Sequence, residues 1–92
     1  MTLSVQDVAQ ELQIPPAELI ERSLRSFLER EIRAVQRDID DLRDRYGVRT
    51  VDELRAQVER GDIYSHPAWE DAIEWEQLEA HRVRLQSLLD TF

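Results

Sequence analysis

The chain has no cysteine, so disulfides and thiolate metal sites are excluded. It has only two glycines, Gly47 and Gly61, too few for a loop that cradles phosphate. Lysine is absent as well, and all 12 basic residues are arginine. No apolar run approaches the roughly 18 residues a membrane-spanning helix needs. The opening stretch, MTLSVQDVAQ, lacks the basic region and apolar run of a signal peptide, so the expected location is the cytoplasm, away from any membrane.

What is present points to helices. A chain of 92 residues forms one domain and buries roughly 60–65% of its unfolded surface. Hydrophobic residues make up 41% and charged residues 35%, too apolar for a disordered chain and too charged for a large core. An elongated helical protein satisfies both numbers. The net charge of −8 opposes broad binding to a phosphate backbone and suits a basic protein partner, or simply solubility.

Spacing and punctuation predict four helices in a single domain over 1–92, at about 5–13, 17–46, 51–60 and 67–90. In the first, Val5, Val8, Ala9 and Leu12 follow helical spacing, and Ser4 with Asp7 has the form of a capping box. Pro15 and Pro16 end it, and Pro16 can open the second helix. The second helix carries Leu28, Ile32, Val35, Ile39, Leu42 and Tyr46 at steps of 4, 3, 4, 3 and 4, a heptad seam suited to helix packing. Nearer its start the apolar stripe broadens to include Leu24 and Phe27. Acid-to-arginine pairs four apart (Glu18–Arg22, Glu21–Arg25, Glu29–Arg33, Asp41–Arg45) support its exposed face. Gly47 is a left-handed stop. Thr50 and Glu53 open a short third helix whose buried side is Val51, Leu54 and Val58. The fourth helix starts near Pro67, with Glu70 and Asp71 in its first turn, where the helix dipole favours acids. The expected architecture is all-α: an antiparallel hairpin of two long helices, with a short N-terminal helix and a short connecting helix.

The fourth helix has two apolar faces. Trp69, Ala72, Ile73, Ala80 and Val83 fall on one side, and Trp75, Leu78, Leu85, Leu89 and Phe92 on roughly the other, with Leu88 nearby. A two-helix hairpin covers only one of them, so self-association into a helical-bundle homodimer or higher oligomer is expected. The expected oligomer interface is Leu28, Ile32, Val35, Ile39, Leu42, Trp75, Leu78, Leu85 and Leu89. Alternatively, the first and third helices fold back over the second face within one monomer.

Candidate chemistry is thin. His66 and His81 are the only histidines, and His81 lacks the glutamate three residues earlier that a bundle metal site would supply. Asp38, Asp40, Asp41 and Asp44 are interleaved with Arg37, Arg43 and Arg45, which fits a solvated, salt-bridged face better than a cation site. No serine has a recognisable base partner. No catalytic residue, metal or cofactor is expected, and the chain does not read as an enzyme. The N-terminal piece, SVQDVAQELQIPPAELIERSL, has the layout of a small helix-turn-helix, yet its second helix opens with Ala17, Glu18, Leu19, Ile20 and Glu21 and gains basic residues only at Arg22 and Arg25. Nucleic-acid binding by this segment would require a dimer.

The block from Asp62 to Glu79, DIYSHPAWEDAIEWEQLE, holds six acids, no arginine and both tryptophans. With the preceding R-Y-G-V break, D-E-L helix and G-x-I turn, the pattern P-A-W-E-D-x-I-x-W-E resembles short prokaryotic antitoxin-like proteins paired with TumE-type toxins. The likeness covers Arg45 to Glu79 and extends less specifically to Arg22–Ile32. It implies neutralisation of a basic, ribonuclease-like toxin by protein–protein binding through an acidic helical surface. The partner contacts would come from Glu70, Asp71, Glu74, Glu76 and Glu79, with Trp69 and Trp75 as aromatic anchors. It also keeps autoregulatory DNA binding in view. A structural or adaptor helical dimer with another protein partner is the alternative reading.

Overall fold

A computed structural model describes residues 2–63 and 65–92 of the chain; Met1 and Tyr64, the latter inside the acidic block, lie outside them. Four helices follow one another: α1 (Val5–Leu12), α2 (Pro16–Tyr46), α3 (Val51–Glu59) and α4 (Ser65–Leu89). Among the described residues there is no strand.

The helix ends obey local chemistry. Ser4 and Asp7 form the reciprocal capping box, each side chain accepting from the other's backbone N–H. Thr50 accepts from the N–H of Glu53, but Glu53 reaches back one residue further, to the N–H of Arg49 at 2.9 Å. α1 closes with Gln13 in the left-handed region (φ 57°), its N–H bonded to the carbonyl of Gln10 while Ile14 bonds to Ala9. The same six-residue closure recurs after α2, where Val48 bonds to Arg43 past Gly47 (φ 64°), and after α3, where Asp62 bonds to Gln57 past Gly61 (φ 75°). Glycine fits the last two positions because the left-handed region strains residues that carry a Cβ.

The start of α4 departs from the sequence expectation. The helix begins at Ser65, two residues before Pro67, so Glu70 and Asp71 lie beyond the first turn, which contains no acid. A proline is tolerated there because the first backbone N–H groups of a helix have no intrahelical acceptor.

The core is built along α2 and α4. Leu28, Val35, Ile39 and Leu42 of α2 are buried together with Ala68, Ala72, Trp75 and Leu85 of α4. Val48 and Leu54 seal the end near α3, and Ile32, Tyr46, Val51, Val58, Leu78 and Leu89 pack around them. Arg45 near the end of α2 pairs with Asp71 near the start of α4, while Leu24 and Phe27 near the start of α2 border one groove with Leu88 and Phe92. The two long helices therefore run in opposite directions. α3 packs on α4, and α1 packs on α2 through Ala9. The molecule is long and thin, 61 × 30 × 16 Å.

Candidate partner-binding surfaces

α4 displays its apolar residues all round, and its neighbours settle which of them are buried. α2 and α3 take the side bearing Ala68, Ala72, Trp75 and Leu85, where two alanines admit close approach and the indole fills the space between helices. Trp75 is 1% exposed, and its indole N–H donates to Glu79 at 3.3 Å. Trp69, six residues earlier, is 45% exposed. Ile73 and Val83 share its side and are also exposed. Ala72, read from the sequence as part of that outer face, is fully buried, because α3 packs on α4 there.

The nine residues expected at an oligomer interface lie elsewhere than expected. Leu28, Val35, Ile39, Leu42, Trp75 and Leu85 are buried inside one chain, and Ile32, Leu78 and Leu89 pack against them. The heptad seam of α2 finds its partner in α4 of the same chain, which buries six of the nine and leaves Ile32, Leu78 and Leu89 partly exposed.

The acids divide in the same way. Asp71 accepts hydrogen bonds from the guanidinium of Arg45 at 2.9 Å and from the phenol of Tyr46. Burial, helped by that hydrogen bond, pushes the Tyr46 phenol up to about 12, and the same carboxylate raises the Arg45 guanidinium above its usual value. Glu76 is clamped by Arg55 at 2.7 Å, and that guanidinium also lies 4.8 Å from the centre of the Trp69 ring, fastening α3 to α4. Glu79 pairs with Arg82 at 2.6 Å. This bond, with a smaller contribution from the Trp75 indole, holds its carboxyl below the usual range against the opposing effect of burial. Of the five acids assigned to a partner, three are thus occupied within the chain. Glu70 has only the imidazole of His66 nearby at 3.6 Å, and Glu74 is exposed with no ion pair among the described residues.

Charge is unevenly placed. Residues 50–79 hold nine acids against two arginines, so most of the net charge of −8 sits on α3 and the first half of α4. Asp52 and Glu59 of α3 are exposed there and make no ion pair among the described residues. At the N-terminal piece, Arg22 and Arg25 are tied to Glu18 and Glu21, at 2.5 and 3.3 Å. The pairs expected for Glu29–Arg33 and Asp41–Arg45 do not form; Arg45 is drawn across to Asp71 instead, and nothing in the structure explains the first.

A second apolar region lies at the far end of the molecule. Ile20, Leu24, Phe27, Leu88 and Phe92 are each about half exposed, and the Arg25 guanidinium sits 5.2 Å from the centre of the Phe92 ring. Leu24 also borders an open groove of about 430 Å³ between α1 and α2, with Leu3, Val5 and Val8 on its other wall. This groove and the role of Arg55 were not legible in the sequence, because both depend on helices brought together by the fold.

Among the described residues no group of three or more histidine and carboxylate side chains is placed to hold a metal ion. Among the described residues no helix is long and apolar enough to cross a membrane. Buried carbon and exposed charge and apolar surface define the class: an all-helical protein whose candidate function lies on its surfaces. The chain belongs to the family described as the Uncharacterized protein MJ0235 family, whose model matches residues 1–91. No curated protein and no solved structure matches it.

Proposed function

We propose that the chain is an antitoxin-like binding protein. In this reading an antiparallel helical hairpin, paired as a helical-bundle dimer, neutralises a small basic toxin by holding it against the acidic α3–α4 half. The observation that carries the reading is the concentration of negative charge on residues 50–79, where Asp52, Glu59 and Glu74 are exposed and unpaired among the described residues. Carboxylates already held by the chain's own arginines have little to offer a partner, so the contact set moves from Asp71, Glu76 and Glu79 toward these three. Long-range attraction between an acidic half and a basic partner speeds encounter and selects against acidic proteins. The resemblance in the P-A-W-E-D-x-I-x-W-E segment supports the same class.

The test is co-expression with a ribonuclease-like toxin encoded beside this chain's gene, followed by co-purification and growth rescue. Reversing Asp52, Glu59 and Glu74 to lysine is expected to abolish rescue while the helical circular dichroism is kept. Full rescue by that triple variant would contradict the acidic-surface reading.

A structural or adaptor dimer with a different protein partner is the second reading, favoured by the exposed apolar side of α4. DNA binding through α1 and α2 draws less support, because Arg22 and Arg25 are already engaged by neighbouring glutamates.

A further inference from the structure

We propose that the outer face of α4 is the seam along which two copies of this chain pair, α4 against α4 in opposite directions. This inference rests on the dimeric part of the reading above and supplies the surface that part leaves undefined.

Trp69, Ile73, Glu76, Ala80, Val83 and Ser87 follow one another at steps of 4, 3, 4, 3 and 4, the repeat of a helix-pairing seam. All six are exposed. The step pattern reads the same from either end, so a second α4 laid antiparallel meets the first in register. Trp69 then faces the partner's Ser87, Ile73 faces the partner's Val83, and Glu76 faces the partner's Ala80. Large side chains meet small or medium ones in each layer, and the charge of Glu76 is already neutralised by Arg55.

Charge sets the direction. Beside the seam lie Glu70, Gln77 and Arg84, spaced by seven. Antiparallel pairing brings Glu70 to the partner's Arg84, its symmetry mate brings Arg84 to the partner's Glu70, and Gln77 meets the partner's Gln77 at the twofold axis. Arg84 is exposed and makes no ion pair among the described residues. A parallel pair would leave Glu70 about 21 Å along the axis from the partner's Arg84, fourteen residues away.

Surface area supplies the need. A globular monomer of 10.9 kDa exposes about 5,600 Å², whereas this chain exposes 6916 Å². The surplus of about 1,300 Å² exceeds the roughly 800 Å² that each partner buries in a standard interface. The radius of gyration tells the same story, at 19.4 Å against about 12 Å for a compact domain of this length.

The chain lacks cysteine, so a Gln77→Cys variant carries one thiol, placed at the proposed twofold axis. With a short bis-maleimide linker it is expected to cross-link into a dimer, while Asp38→Cys does not. Sedimentation equilibrium of the unaltered chain is expected to give a dimer, and Val83→Glu to weaken it by about 100-fold, as burying an unpaired charge at an interface centre does. Glu70→Arg and Arg84→Glu are each expected to weaken it by about threefold to tenfold, and the double exchange to restore it. Recovery in the double variant shows that neither change unfolds the chain. A monomer at high micromolar concentration would overturn both the seam and the dimer. A dimer that fails to cross-link through residue 77 and withstands Val83→Glu would overturn the seam alone. A dimer lost instead on Phe27→Glu would move the interface to the Phe27–Phe92 end. None of these outcomes depends on the toxin, so co-purification and rescue remain a separate test of the acidic surface.

Discussion

The inner and outer sides of α4 are made of similar material and meet opposite surroundings. Each carries a tryptophan, each carries aliphatic residues at helical spacing, and each includes alanine. The inner side is sealed by α2 and α3, so that Trp75 lies beside Ala68 and Ala72 in the core. The outer side has Trp69, Ile73 and Val83 in contact with solvent, with only Arg55 across one indole. Apolar spacing tells how a helix can pack, and the neighbouring element decides which of its sides does.

The largest effect that would sharpen this contrast is a pair of truncations. Trp75→Ala is expected to cost about 3–5 kcal/mol, because it empties the place of a fully buried indole in the core. Trp69→Ala should cost less than about 1 kcal/mol in dilute protein, mostly the lost stacking of Arg55. Urea denaturation of both variants at low concentration measures the difference. Equal losses would show that Trp69 is also sealed in the folded monomer.

Next in size come the pH responses of the two tethers on the inner side. The Tyr46 phenol ionises at about 12 in the folded chain against an ordinary value of 10.0. Its contribution is fully present below the ordinary value and is lost as pH rises from there through about 12. The Glu79 carboxyl is depressed by Arg82, so its contribution is present above the ordinary carboxylate value and is lost as pH falls through the folded one. Tyr46→Phe is therefore expected to flatten the alkaline limb of a stability profile, and Glu79→Gln the acid limb. A local effect lies outside α4: Thr50→Ala removes the α3 cap and should cost about 1 kcal/mol, measurable by thermal unfolding.

The sequence is most informative where the physics is local. Ser4 with Asp7, Gly47 and Gly61 mark helix ends because capping and left-handed closure involve residues within one turn. The heptad from Leu28 to Tyr46 is visible for the same reason. What lies opposite it is not, since nothing in the repeat distinguishes a second helix of the same chain from one of another chain; hence Leu28, Val35, Ile39 and Leu42, expected between subunits, are found within one. Asp71 shows the same limit for charge. It looks like a free surface acid until Arg45 and Tyr46, more than twenty residues earlier, are folded against it. The outer seam was half legible, through Trp69, Ile73, Ala80 and Val83. Glu76 and Ser87 completed it only once their exposure was known, because polar residues do not announce themselves as seam positions.

Acrylamide quenching of the two single-tryptophan variants, measured from low to high protein concentration, tests the division between the two sides most directly. With Trp69→Phe, the remaining Trp75 is expected to be shielded at every concentration. With Trp75→Phe, Trp69 is expected to be quenched freely in dilute protein and to become shielded as the chains pair. Quenching of Trp69 that stays unchanged up to high micromolar protein, or ready quenching of Trp75 in the folded chain, would contradict the account.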